Sequence, residues 1–298
     1  MDHKTALAAL PAARKEALQE RSDLRGLVHL TGHVGLLVGF QLIVALRLPL
    51  WPLALLPLGI LTVFLFTLSH ECTHYTPFKT RWLNDAVGQA TSLPLMLPFI
   101  WFRYFHLAHH KHTNDPEHDP ELEHGPRPET WGQFLIYLSG WGYWRGMART
   151  LWRNAFGPID APYLPARQHG AIRREARVLL AIYAFIALSL IWTSLALWIW
   201  IVPVLIGQPF LRLYLLAEHG RCPPVANMLE NSRTTYAGWP VRFIAWNMPF
   251  HAEHHSFPNV PFHKLPELNR DLAPLLKSTS PSYPAFARDY AEGLRPQA

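Results

Sequence analysis

Charge is missing from two long stretches of this chain. Between residues 27 and 69 the only charged side chain is Arg47, and between residues 178 and 211 there is none. An uncharged run of about 18 or more residues is long enough to cross a bilayer, which excludes an ordinary soluble domain as the expected class. Cysteine is scarce as well. Cys72 and Cys222 stand alone, with neither a disulfide framework nor a C-x-x-C pair between them. No basic run interleaved with aromatics occurs, so the net charge of +6 does not point to nucleic acid. Positive loops retained in the cytoplasm explain it. The polar lead of residues 1–26 is too long for a cleavable signal peptide, and a second apolar segment follows the first directly. There is no internal repeat and no linker dividing the chain, so residues 1–298 are read as one domain.

What is present fits a membrane protein. Residues 27–46 and 50–69 read as two spans of about 20 residues, roughly 30 Å of helix each. The tight turn between them is Arg47-Leu48-Pro49. Residues 178–216 form a longer apolar stretch interrupted only by Arg212. At ~1.5 Å per residue it is about 58 Å long, close to two crossings. Pro203 lies near its middle, dividing it into spans expected at 178–201 and 204–217. Arg212 is then expected to snorkel to the interface or pair with a buried acid. Apart from Arg47 and Arg212, every Lys and Arg lies outside the two hairpins, as do all 21 acids. The charge bias therefore predicts both termini, residues 70–177 and residues 218–298 on the cytoplasmic side. Two further apolar segments, 86–102 and 131–144, are broken by Pro94 and Pro98 or are short and rich in Trp, Tyr and Gly. Both are expected to lie along the cytoplasmic surface rather than cross. The expected fold is an all-α integral membrane protein, with four transmembrane helices in two hairpins under a cytoplasmic helical cap.

Histidine is abundant, with 17 in the chain, and nine of them form an arrangement. His70 and His74 are spaced i, i+4; His106, His109 and His110 form H-x-x-H-H; His251, His254 and His255 repeat that spacing; His219 stands alone. Residues three and four apart share a helix face, so each cluster can aim two or three imidazoles at one point. Imidazole suits iron, zinc, copper and nickel and binds as the neutral ring. His70-Glu71-Cys72-Thr73-His74 satisfies the H-E-x-x-H pattern of zinc peptidases. Such a site needs only one further protein ligand and an open position for water. Here seven more histidines remain, all expected on the same membrane face, enough for two metals of four to five ligands each. A transporter would need polar groups along a path inside the spans, and only His29, His33 and Arg212 lie there. Glu71, Glu218 and Glu253 neighbour the clustered histidines, and Asn114 and Asp115 come just after the second cluster. These are expected to hold the outer N–H of metal-facing imidazoles. His3, His29, His33, His112, His118, His124, His169 and His263 are expected to be solvated, interfacial or supporting groups, and Cys72 to be packing.

At these residues the chain resembles the membrane fatty acid desaturase superfamily. HECTH resembles its first box, HLAHH its second and HAEHH its third, and the tail HHSFPNVPFHKLP is similar to the segment that commonly trails the third box. The resemblance covers about residues 50–268. It implies four spans, a cytoplasmic cap and a non-haem di-iron centre held by His70, His74, His106, His109, His110, His219, His251, His254 and His255. It further implies O2 as co-substrate and removal of hydrogen from an unactivated C–H bond of a lipid or fatty-acyl chain. Loss of a second hydrogen gives an alkene; rebound of hydroxyl makes the alternative a hydroxylase or ketolase of a lipid, sterol or carotenoid. Some acyl-CoA members carry an asparagine one turn before the isolated histidine, where this chain has Leu215. The third box begins with His251 rather than glutamine, and no H-P-G-G haem signature is present. Electrons are therefore expected from a separate ferredoxin, rubredoxin or cytochrome b5, and the location is expected to be a bacterial inner membrane.

Overall fold

The computed structural model describes residues 1–122 and 127–296; His124 lies outside the described residues. Two short helices, α1 (His3–Ala9) and α2 (Ala12–Leu18), precede the long α3 (Asp23–Ala45). Helices α4 (Trp51–Val63) and α5 (Leu65–Thr73) form one rod interrupted at Phe64, then come α6 (Arg81–Ser92) and α7 (Phe99–His112). Next are α8 (Trp131–Leu138), α9 (Trp141–Phe156) and α10 (His169–Ser189), and a π-helical turn at Leu197–Ile201 leads into α11 (Val202–His219). The remainder is short: α12 (Met228–Asn231), α13 (Trp239–Ile244), α14 (His251–Ser256), α15 (Leu265–Leu272) and α16 (Tyr283–Glu292). Among the described residues the only paired strands are β1 (Thr234–Thr235) and β2 (Thr279–Ser280), parallel to each other.

Three helical stretches are long and apolar enough to cross a membrane: Ala12–Ala45, whose apolar part is α3, Trp51–Thr73 and Leu197–His219. Helix α3 leaves Leu24, Val28, Leu36, Val38 and Leu42 exposed, and α10 leaves Phe185 and Leu188 exposed. A soluble monomer rarely presents so much apolar surface. Helices α4 and α11 meet at Gly59 and Gly207, where a Cβ on either residue would strike the backbone of the other helix. The rings of Trp51 and Trp198 sit edge to face at 5.3 Å, so these two helices begin at the same end and run side by side toward the histidines. Near Phe64, where the rod is interrupted, two hydroxyls take up backbone carbonyls. Thr62 Oγ1 donates to the Leu58 oxygen at 2.7 Å and Thr67 Oγ1 to the Phe64 oxygen at 2.8 Å.

The long apolar stretch breaks in a different place from the one expected. The break lies at residues 190–194 rather than at Pro203, between the helices His169–Ser189 and Leu197–His219. Pro203 lies inside the helical stretch Leu197–His219, directly after the π-turn, a local widening of the helix that accommodates a residue lacking an N–H. The turn is set by Thr193 and Ser194, whose oxygens accept from Leu195 N at 3.2 Å and Trp198 N at 3.2 Å. Helix α10 starts with Arg173, Arg174, Glu175 and Arg177 in its first turns. Its uncharged part is therefore only about 18 Å long, which is why it does not join the three spanning candidates. The segment 86–102 is no continuous helix: α6 ends at Ser92, Met96 takes a left-handed conformation (φ 54°), and α7 starts at Phe99.

Candidate metal centre

Four elements bring the nine histidines together. His70 comes from the last turns of α5 and His74 caps it; His106, His109 and His110 come from α7; His219 is the last residue of α11. His251, His254 and His255 come from α14, a six-residue helix buried along its whole length. Ring nitrogens of His70, His74, His106, His110 and His254 converge within 4.8 Å of one another, and those of His109, His219 and His255 do the same. His251 joins the second group, with its Nε2 3.0 Å from His219 Nε2. The groups adjoin: the rings of His110 and His255 stack at 4.0 Å.

The donor set suits transition-metal ions. All nine side chains are buried apart from part of His110, yet Nε2 of His70, His110, His254 and His255 has no protein partner. Buried polar nitrogens without partners are costly, and so many facing one another is what a site built for cations would leave. Burial also holds most of these rings in the neutral form that binds metal. It pulls His74 down to about 3 and lowers His106, His110, His251, His254 and His255 well below the usual histidine range. His109 is the exception. Burial opposes its protonation, but Glu121 and Asp119 outweigh it and raise the value.

The outward nitrogens are held from behind, as ligand imidazoles commonly are. His109 Nδ1 lies 2.9 Å from Asp119 Oδ1, His219 Nδ1 3.1 Å from the Asn231 carbonyl, and His255 Nδ1 3.1 Å from Thr113 Oγ1. Glu218 and Glu71 only stand near His251 Nδ1 and His254 Nδ1, at 3.3 and 3.6 Å, without a hydrogen bond to either ring. Glu71 is fixed by Thr76 Oγ1 and Phe262 N at its other oxygen. Glu253 does something else: it accepts from Thr234 Oγ1 and Asn269 Nδ2, pinning α14 to β1 and α15 rather than touching an imidazole. Asn114 acts one step back. Its backbone N–H donates to Asp119 Oδ2 at 2.8 Å and its Nδ2 to the Asn231 carbonyl at 2.7 Å, so it positions both acceptors. Asp115 reaches His118 at 2.9 Å and accepts the Glu117 N–H at 3.0 Å, away from the nine histidines. Asp119, Asn231 and Thr113 carry no sequence signal of their own beyond the acidic run after the second cluster.

A cavity of about 430 Å³ opens onto both groups through His70, His106, His109, His219 and His251. Its other walls are largely apolar, with Phe66, Trp101, Phe102, Phe105 and Met147 among them, and Leu215 occupies the wall one turn before His219. Arg212 also lines it. Among the described residues it forms no ion pair with an acid; its guanidinium lies 4.6 Å from the Tyr143 ring centroid. His29 and His33 sit apart from the nine, bonded to the Phe243 and Leu61 carbonyls at 2.7 and 3.0 Å. His112, Asp115 and His118 form a separate, partly exposed group. Cys72 is packed with Leu68, Phe78 and Phe99.

Comparison with known proteins agrees with this geometry. The profile of the family described as Fatty acid desaturase matches residues 46–287. The sn-1 oleoyl-lipid 12-desaturase of Anabaena variabilis is 27% identical over 239 residues, 72% of this chain and 67% of that protein. The sphingolipid delta(4)-desaturase DES1 of Drosophila melanogaster is 28% identical over 239 residues, 77% of this chain and 68% of that protein. A third relative, the sn-1 acyl-lipid omega-3 desaturase (ferredoxin) of a Nostoc strain, is 28% identical over 114 residues, and the match spans 35% of this chain and 32% of that protein. The chain is an oxidoreductase acting on fatty acyl chains, and it belongs to the fatty acid desaturase family.

Proposed function

We propose that this chain is an O2-dependent desaturase of membrane lipid acyl chains that works with two non-haem iron ions. His70, His74, His106, His110 and His254 would hold one ion, and His109, His219, His251 and His255 the other. The observation carrying this reading is the pair of adjoining buried imidazole groups, with unpartnered nitrogens, at the wall of an apolar cavity. When bound, the metal pair supplies the oxidation of an unactivated C–H bond at the expense of O2. The overall balance is a CH2–CH2 unit, O2, two electrons and two protons giving CH=CH and two waters. The electrons come from a separate ferredoxin, rubredoxin or cytochrome b5.

The protein's own part is positioning and exclusion. Asp119, Thr113 and the Asn231 carbonyl fix imidazole orientation from behind, and Glu218 and Glu71 set carboxylates beside His251 and His254. Phe66, Trp101, Phe102 and Phe105 keep the cavity dry and hold an alkyl chain against the histidines.

Four crossings, with both termini and the histidines on the cytoplasmic side of a bacterial inner membrane, complete the reading. The support is that α4 and α11 begin together at Trp51 and Trp198 and both lead to histidines. To enter α11 from the far end, the chain must first travel away from the histidines after α7, and α10 is the helix placed to do so.

Two measurements test the function. Lipids from cells expressing the chain should carry double bonds absent from a His110→Ala control. New hydroxyl or keto groups in their place would reject desaturation while keeping the metal pair. Purified protein should hold about two irons per chain; a single zinc would reject the metal assignment.

A further inference from the structure

Arg212 is unexplained by the metal centre. It projects from α11 into the wall of the cavity that the histidines line. Its Nε and Nη2 are shut off from solvent and lack a hydrogen-bond partner. No carboxylate lies within ion-pairing distance among the described residues; Glu218 feels the Arg212 charge only at longer range, and the acids that share the cavity, Glu218 and Glu121, lie against His251 and His109. Tyr143 provides the face on which the guanidinium rests, 4.6 Å away, while its edge stays open. Gln208, one turn earlier on α11 and 1% exposed, has neither amide atom bonded, and the indole Nε1 of Trp144 is also unpartnered.

The geometry of this edge selects a ligand. Nε and Nη2 form one side of the guanidinium fork, the side that takes two oxygens of a carboxylate or phosphate in parallel. A charged group kept unpaired inside a largely apolar wall has meaning when its partner arrives with the substrate. Arg212 and His219 are seven residues apart on one helix, so they share a face two turns apart, separated by about 10 Å. Building on the acyl-chain reading above, we infer that Arg212 is a substrate-binding residue that holds an oxyanion at the head of the acyl chain. That contact, with Gln208 and Trp144 nearby, fixes how far along the chain the reacting carbons lie. The oxyanion is the carboxylate of a free fatty acid or the phosphate of a lipid, and the two are separable by experiment.

The test is equilibrium binding to the full-length, detergent-purified, iron-loaded protein, using palmitate, 1-palmitoyl-lysophosphatidate, methyl palmitate and hexadecane. At least one oxyanion-headed ligand should bind tenfold or more tightly than methyl palmitate, and the tighter of the two identifies the source. In Arg212→Met this preference should vanish while methyl palmitate binds as before; Arg212→Lys should retain part of it. Iron content near two per chain shows that the variants are folded. If methyl palmitate and both oxyanion ligands bind within threefold of one another, or the preference survives in Arg212→Met, the assignment is overturned and the acyl-chain reading stands. If none of the chains binds, both fall.

Discussion

Asp119 is joined to His109 Nδ1 on one oxygen and to Asn114 N on the other, so a single carboxylate ties a ligand ring to the loop behind it. Losing such a support typically lowers metal affinity about 10- to 100-fold. Asp119→Ala should therefore show that loss in a chelator competition followed by iron content, and Asp119→Asn a smaller one. Glu253→Ala should act differently, because Glu253 anchors α14 through Thr234 and Asn269 rather than through a ring. Its effect should appear as a lower melting temperature of the metal-free protein, with metal affinity per folded chain changed less than by Asp119→Ala. The distinction is not legible in the sequence. Glu253 sits between His251 and His254, but neighbouring helix residues point about 100° apart, so adjacency to ligands does not mean contact with them. Asp119 lies nine residues past His110 and becomes a partner only because the chain turns back after α7. Eight of the nine histidines are readable because their i, i+3 and i, i+4 spacing is a property of helices alone, independent of how the helices pack; His219 has no such neighbour and is found only through the family resemblance.

Two helix-scale features carry consequences for stability. Glu175 on α10 accepts the backbone N–H of Ile100 at 3.0 Å, closing the open N-terminus of α7, which bears three of the histidines. Burial pushes its carboxyl up to about 7 from an ordinary 4.5, against the pull of the α7 backbone N–H groups. The folded chain thus holds this proton more tightly than the unfolded chain does. The favourable contribution is complete below pH 4.5 and is lost as pH rises through 7, by roughly 3 kcal/mol over the window. Thermal melts from pH 5 to 8 should show wild type losing stability relative to Glu175→Gln as pH rises; parallel curves would refute this. The close crossing of α4 and α11 at Gly59 and Gly207 gives the second expectation. Gly207→Ala has no room for its methyl group and should destabilise by about 1–3 kcal/mol or more, read as a fall in the midpoint of detergent-solubilised unfolding. At this scale charge marks where an apolar helix ends, as at Arg47, whereas proline does not mark the break inside residues 178–216: the chain turns at residues 190–194, and Pro203 is carried within a helix after a π-turn, which composition does not record.

At the scale of the molecule, the proposed arrangement makes a labelling prediction. Ser194 lies in the turn before α11, at the end remote from His219, whereas Lys111 comes directly after the second histidine cluster. In intact cells, a membrane-impermeant thiol reagent should modify Ser194→Cys and leave Lys111→Cys untouched until the membrane is opened. The reverse pattern would overturn the cytoplasmic placement of the histidines.

The short buried helix α14 has a further consequence, for biosynthesis. The five-histidine group joins His70 to His254, so one of its members is made 184 residues after the first. Closing a chain over that distance carries a loop entropy that nearby contacts cannot offset until both ends are present. Neither group is complete before α14 emerges, since His254 belongs to one, His255 belongs to the other and His251 adjoins the latter. Metal capture is therefore a late event, coupled to the docking of the C-terminal segment, and a chain truncated before residue 251 should insert helices yet hold neither metal.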